Sequence, residues 1–256
     1  MHTVLVYHSI TSRSDQISEE AISPQRFEQQ LRWLSRRRAV VPLIETLHRR
    51  EKDRLVGITF DDGYRNNLTV ALPLLEKFSL PMTLFVIAGS IDGDGYLSTD
   101  ELREISRHPL VTIGAHGLWH RHFTRLSRDA ARFELVESRR LLEEIIGQRV
   151  ELMAWPYGEC DPELERLSAE CGYRASWSVW KGSNGPHSRW RVPLGRRDHL
   201  LRFIAKSAGW YARSQGKWHR FQDRRMKESV IEPASAECFN DEAKTRVRNT
   251  SLADGV

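Results

Sequence analysis

The sequence predicts an α/β protein: a distorted or incomplete (β/α) barrel with about seven mainly parallel strands. Two observations point there. Short apolar runs alternate with amphipathic segments from the N-terminus to about residue 210, and strands that alternate with helices build parallel sheets. The alternation also recurs seven or so times, which favours a closed or nearly closed barrel over a doubly wound open sheet.

The elements read in order as follows. Thr3–Tyr7 is a short apolar run of the kind a buried strand shows. Ser23 and Pro24 open a helix, cap and first turn, with Phe27, Leu31 and Leu34 on one face. Residues 40–43 read as a strand and a helix follows from about Ile44. Residues 55–60 form the next strand, and residues 66–78 a helix with Leu68, Leu72 and Leu75 at helical spacing. A strand over 82–87, a short helix capped around Thr99, and a strand over 110–115 come next. The long amphipathic helix over 129–146 stops at Gly147. Strands over 150–155, 173–179 and 189–194 flank a helix over 162–170, and a last helix runs from Asp198 to about Ala208. From about Gln215 the pattern fails. Residues 1–212 therefore read as one domain, and 213–256 as a polar, weakly ordered tail.

Composition narrows the function. Forty per cent of the residues are hydrophobic, enough for a core. No stretch reaches the roughly 18–20 apolar residues that span a bilayer. The start has no basic segment leading into an apolar one, so a cytoplasmic location is the expectation. Three cysteines without CxxC spacing make neither a disulfide framework nor a thiolate zinc site. The net charge of +5 carries no nucleic-acid motif with it. Between 206 and 227, Lys206, Arg213, Lys217, Arg220, Arg224, Arg225 and Lys227 interleave with Trp210, Tyr211, Trp218 and Phe221. Such a segment can lie on an anionic membrane surface, or can be a solvated helix end.

In a parallel barrel the chemistry sits where strands end. His8 follows the first strand, Asp61 and Asp62 the strand over 55–60, His116 and His120 the strand over 110–115, and Pro156-Tyr157-Gly158 the strand over 150–155. Carboxylates and imidazoles gathered on one rim are costly to desolvate unless something pairs with them. A cation is the simplest partner. Asp with two His suits Zn²⁺, with Co²⁺, Ni²⁺ or Mn²⁺ as alternatives, and three protein ligands leave the open positions of a catalytic site. The His116-x-x-x-His120 spacing can set both rings on one side of a helical turn. Adjacent aspartates at a turn can divide their roles, one on the metal and one free to take a proton; alternatively they can serve the N-terminus of the following helix.

With Thr59-Phe60-Asp61-Asp62-Gly63-Tyr64 and His116-Gly117-Leu118-Trp119-His120 in view, the chain resembles the polysaccharide deacetylases, the NodB-homology carbohydrate esterases. Val4-Leu5-Val6-Tyr7-His8-Ser9-Ile10, Leu126-Ser127 and Ala154-Trp155-Pro156-Tyr157-Gly158 extend the resemblance, the first towards the subgroup acting on poly-N-acetylglucosamine exopolysaccharides. It implies a metal-dependent hydrolase that removes N-acetyl groups from a polysaccharide, oligosaccharide or lipid-linked glycan. Asp61 is then the base, and Asp62, His116 and His120 hold the metal. Tyr157 lends a backbone N–H to the oxyanion, and Trp155 and Pro156 shape the pocket floor.

Two features depart from the family pattern. Ala154 stands where many members have an Arg that orients the base, and the late Leu-x-His that supplies the acid is missing. His8 takes the acid role by resemblance to the exopolysaccharide subgroup, with His199 as the other candidate. Arg191, counted with Trp155, Pro156 and Tyr157 among the residues of the substrate site, either replaces the missing Arg in holding Asp61 or forms a structural salt bridge. Trp119, Trp155, Trp177, Trp180 and Trp190 are candidates for a cleft wall against sugar faces. Rival readings are an amidohydrolase for a small cyclic amide and a sugar-binding homologue without activity.

Overall fold

The computed structural model describes residues 2–12, 18–50, 53–179 and 183–208. The tail expected beyond residue 212, Trp180, and all of the basic aromatic segment past residue 208 lie outside them. Eight strands form one parallel sheet: β1 (Thr3–Tyr7), β2 (Val56–Phe60), β3 (Met82–Val86), β4 (Val111–Ala115), β5 (Leu152–Ala154), β6 (Ala175–Ser178), β7 (Arg189–Trp190) and β8 (Val192–Pro193). Their order across the sheet is β7-β6-β5-β4-β3-β2-β1-β8. β7 pairs with β6 and β8 with β1, so consecutive pieces of one segment sit on the two opposite edges. The single expected strand over 189–194 is therefore split, with Arg191 at the junction, and the barrel is nearly closed.

Side-chain alternation sorts the core into two layers. Leu5, Tyr7, Ile58, Phe60, Leu84 and Val86 face outward and pack under the helices with Phe27, Leu31, Leu75 and Leu135. Val4, Phe85, Leu152, Ala154, Ala175 and Trp177 fill the lumen over Leu43. Gly114 is what admits Phe85, since a Cβ there would lie 2.5 Å from the Phe85 ring. Both faces are buried, which is why the strands read as continuous apolar runs.

The helices are α1 (Pro24–Arg37), α2 (Leu72–Lys77), α3 (Thr99–Ser106), α4 (Arg128–Ile146), α5 (Pro162–Glu170) and α6 (Leu200–Ser207). Their ends follow capping rules. Ser23 caps α1 ahead of Pro24, Ser127 caps α4, and Gly147 ends α4 at φ +66°. The cap of α3 is Ser98, one residue before Thr99, in a reciprocal capping box with Glu101. Residues 40–43 do not form a strand: Val40 makes one isolated bridge to Val56, and Leu43–Leu47 close the barrel floor as a 3₁₀ turn. Pro42, without an N–H, cannot sustain a ladder there. A π-helical turn, Asn67–Ala71, precedes α2. None of the described helices is long and apolar enough to cross a membrane.

Candidate active site

The C-terminal ends of β1, β2, β4 and β5 bring the site together. Asp61 follows β2, and its backbone N–H donates to the Tyr7 carbonyl at 2.9 Å. The chain then turns through left-handed backbone at Asp62 (φ +75°) and Gly63 (φ +81°). That turn separates the two carboxylates. Asp61 receives a bidentate pair from Arg191, Nη1 to Oδ1 at 2.6 Å and Nη2 to Oδ2 at 2.7 Å. The Arg191 side chain is completely buried, its guanidinium lies 5.2 Å from the Phe85 ring centroid, and Nη1 also reaches Thr59 Oγ1 at 3.2 Å. Burial pushes the Asp61 carboxyl up, but Arg191 and then His116 outweigh it and bring the group down to about 2. Arg191 thus reaches Asp61 from across the barrel seam and holds both of its carboxylate oxygens.

Asp62 faces the imidazoles. Its Oδ1 lies 3.6 Å from His116 Nε2 and 3.6 Å from His120 Nε2, and it is buried without a hydrogen-bond partner. His116 Nδ1 sits 2.8 Å from the Ala154 carbonyl. The carbonyl can only accept, so that contact puts the proton on Nδ1 and turns the Nε2 lone pair toward the carboxylates. Burial lowers His116 to about 4 against the opposing pull of Asp61 and Asp62. Ligands about 2.0 Å from a tetrahedral Zn²⁺ lie roughly 3.3 Å apart. The two 3.6 Å spacings are close to that, and ligand atoms of Asp62, His116 and His120 all fall within 4.8 Å of one another. With a partnerless buried carboxylate oxygen and two imidazoles around one point, the donor set fits a divalent cation. The phenol of Tyr64, stacked on Tyr96 at 5.1 Å, is raised by burial and then by Asp62 beside it.

The two histidines do not share a helical turn. His116 follows β4 directly, Gly117 is left-handed at φ +76°, and His120 is left-handed at φ +51°. The loop has no helical hydrogen bonds because its amides serve another partner. Leu118 N–H and Trp119 N–H both donate to Glu134 Oε2 on α4, at 2.8 and 3.0 Å. Burial raises the Glu134 carboxyl; those two amides and then Arg121 act against it.

His8 lies beyond β1 with Nε2 3.8 Å from Glu20 and Nδ1 buried without a partner. Its loop is held by two residues that sequence reasoning passed over. Asn67 Nδ2 donates to the His8 carbonyl at 2.8 Å, while Asn66 accepts from Ile10 N–H at 3.1 Å and donates to Ser9 Oγ at 2.8 Å. The signal was their position just after the Asp61–Tyr64 turn. For Glu134 it was a lone acid on the stripe formed by Ala131, Leu135, Ser138 and Leu142.

Tyr157 is left-handed at φ +59° and 46% exposed, its ring stacked on His122 at 3.5 Å and 4.6 Å from His120. Asp62, His120 and Tyr157 are three of the non-glycine residues at positive φ, and strain of this kind concentrates at functional sites. Pro156 is buried behind Tyr157. Trp155 and Trp177 are also fully buried, Trp155 edge-on to Phe123 with its indole N–H on the His187 carbonyl at 2.9 Å. Neither offers a ring face to a sugar, so both leave the cleft-wall set; Trp155 supports the site from within. Trp190 lines, with His2, Thr3 and Trp177, a cavity of about 210 Å³ at the start of β1, and none of the metal-site residues borders it. Trp119 stays partly exposed beside His120. His199 is the exposed N-cap of α6. Lys206, expected on a membrane-facing segment, is buried and donates to Asp198 Oδ2 at 2.9 Å and the Pro193 carbonyl at 2.8 Å.

Fold and site together define a (β/α)-barrel protein with an Asp-His-His cluster at the strand ends. The sequence profile of the family described as polysaccharide deacetylase matches residues 48–176, half of the chain, and the protein belongs to that family. The Bacillus subtilis protein YxkH, whose name provisionally places it among polysaccharide deacetylases, is 27% identical over 70% of this chain and 65% of its own length. The poly-beta-1,6-N-acetyl-D-glucosamine N-deacetylase of Staphylococcus aureus is 25% identical over 69% and 67%. The chain thus spans about two thirds of the length of these curated relatives. Streptococcus pyogenes deacetylase PplD, solved with acetate, has the same fold: TM-score 0.73 and 21% identity over 80% of this chain and 97% of PplD.

Proposed function

We propose that this protein hydrolyses N-acetyl groups from a polymer or oligomer of N-acetylglucosamine, with a divalent cation held by Asp62, His116 and His120. The observation that carries the reading is the division of the two aspartates. Asp62 points a partnerless oxygen at two imidazoles, while Asp61 is kept ionised by Arg191 yet lies 3.9 Å from His116 Nε2. One carboxylate suits a ligand and the other a base. The staphylococcal relative, by its name, acts on a β-1,6-linked polymer of this sugar.

A divalent cation, Zn²⁺ by the nature of its ligands, supplies Lewis-acid polarisation of the acetyl carbonyl when bound. The chain's own groups do the rest. Asp61 takes a proton from the attacking water; Arg191 secures its ionised state and aims it. The Tyr157 N–H, on its left-handed turn, is the donor we assign to the developing oxyanion. His8 delivers a proton to the leaving amine as the C–N bond breaks. The products are acetate and a free amino sugar. Arg191 weighs against the inactive-homologue reading, because a guanidinium absent at Ala154 reaches Asp61 from the junction of β7 and β8.

The test is acetate release from β-1,6-linked and β-1,4-linked N-acetylglucosamine oligomers. Activity should vanish with a chelator and return with Zn²⁺. No release from either series by metal-loaded protein would sink the proposal. His8→Ala should slow turnover by about 10²-fold or more; a rate within tenfold of wild type would move the acid elsewhere.

A further inference from the structure

Glu134 belongs to α4, hydrogen-bonds to none of Asp61, Asp62, His116 and His120, and has a side chain only 3% exposed. One of its oxygens takes two of the N–H groups on the segment that joins the two histidines, those of Leu118 and Trp119. Two successive amides converging on one acceptor form an anion-binding nest, and here the anion is part of the chain. The opposite side of the same peptides is tied as firmly: the Gly117 and Leu118 carbonyls accept from Ala88 and Gly89 N–H at 3.1 and 2.8 Å. The fit is close on every side. A Cβ on Gly89 would meet the Trp119 ring at 2.4 Å, and a Cβ on Gly117 would lie 3.2 Å from Phe123 and 3.5 Å from Glu134 Oε2. Arg121 Nε sits 3.6 Å from the other Glu134 oxygen. His120 emerges from this clamp in left-handed backbone, which a bulky residue does not adopt without being held.

We propose that Glu134 is a positioning residue for the metal site: its carboxylate organises the Gly117–Trp119 peptides so that His120 Nε2 is presented to Asp62 and His116 before any ion arrives. β4 fixes one imidazole; Glu134 on one side and the Ala88 and Gly89 amides on the other fix the second through the backbone. Charge matters as well as shape, because a carboxylate oxygen accepts two amides more strongly than a neutral carbonyl does.

The inference rests on the metal reading above, and the experiment separates the two. Zn²⁺ affinity is measured by chelator competition for wild type, Glu134→Gln, Glu134→Asp and Glu134→Ala, with the melting temperature of each metal-free protein and hydrogen exchange at the Leu118 and Trp119 amides. Glu134→Gln, which keeps one acceptor oxygen and the volume, should bind Zn²⁺ about 10–100-fold more weakly and exchange those two amides faster. Glu134→Ala should be weaker still, and Glu134→Asp should recover part of the loss. If Glu134→Gln lowers the melting temperature but keeps Zn²⁺ affinity within twofold of wild type, the residue is merely structural and the proposal fails. Should Glu134→Ala not fold, the Gln and Asp variants decide. Wild-type protein that binds no Zn²⁺ would overturn the metal reading itself; wild-type binding matched by Glu134→Gln would overturn only this one.

Discussion

Asp61 and Asp62 are neighbours in sequence and opposites in environment. Asp61 sits on the guanidinium side of the mouth, buried and matched bidentately by Arg191. Asp62 sits on the imidazole side, with a buried oxygen that has no hydrogen-bond partner among the described residues. Asp62 itself is left-handed, and that turn of the backbone aims the two carboxylates apart. Burying one carboxylate is costly, and burying two side by side is worse. The molecule settles the first through Arg191; the second belongs to a cluster able to hold an ion. The contrast teaches that charge compensation, more than the identity of the acid, sets the two aspartates apart, and the proposed division into base and ligand rests on it.

The sharpest way to break that contrast is to exchange the two roles by mutation. Asp62→Ala should abolish stoichiometric Zn²⁺ binding and bring acetate release down to background. Asp61→Asn should keep the metal, by elemental analysis, and lose about 10²–10⁴-fold in kcat, the usual contribution of a proton-transfer group. If Asp61→Asn also lost its metal, the division would be wrong.

The next largest effect concerns the guanidinium. Arg191→Met strands a buried carboxylate. Breaking one partner of a buried pair costs about 3–5 kcal/mol, whereas replacing both can be close to neutral. Chemical denaturation should therefore show Arg191→Met strongly destabilised and Asp61→Asn/Arg191→Met substantially restored. Additive losses in the double variant would mean that Arg191 stabilises the barrel seam independently of Asp61. Arg191→Lys should rescue little, because an ammonium cannot match both carboxylate oxygens.

What the sequence disclosed follows from how far each feature acts. The strands were legible because a two-faced parallel sheet needs continuous apolar runs, and the cluster of Asp62, His116 and His120 because parallel strands end on one side. The register of β7 and β8 was not: Arg189–Pro193 looks like one strand, and only barrel closure divides it between two edges around Arg191. Glu134 was harder to see because its partners are backbone amides; its mark in the sequence is an acid on the buried stripe of α4. The tryptophans misled for a related reason. In strands buried on both faces, a Trp in the lumen (Trp177) and one behind a loop (Trp155) look the same as one on a cleft wall. Pro42 gave the one local clue against a strand at 40–43, and it outweighed the β-branched pair Val40-Val41 before it.

The smallest expected effect separates the two sides by pH in metal-free protein. His116 falls from an ordinary 6.5 to about 4 on folding, and Asp61 from 3.8 to about 2. In both cases the unfolded chain holds the proton more tightly, so acid favours unfolding. The imidazole side should act first. Stability should decline as pH falls from about 6.5 towards 4 because neutral, buried His116 must be charged; the guanidinium side should add a second decline from about 3.8 towards 2, as Asp61 is protonated and Arg191 loses its partner. Melting temperatures of chelator-treated protein across this range should show both steps. His116→Gln should flatten the upper step and leave the lower one. Saturating Zn²⁺ should shift the upper step to lower pH, since the ion and the proton compete for the same Nε2 lone pair. A wild-type profile that stays flat from pH 6.5 to 4 would mean that His116 keeps an ordinary proton affinity in the fold, and its Nε2 would then not be held ready for a metal.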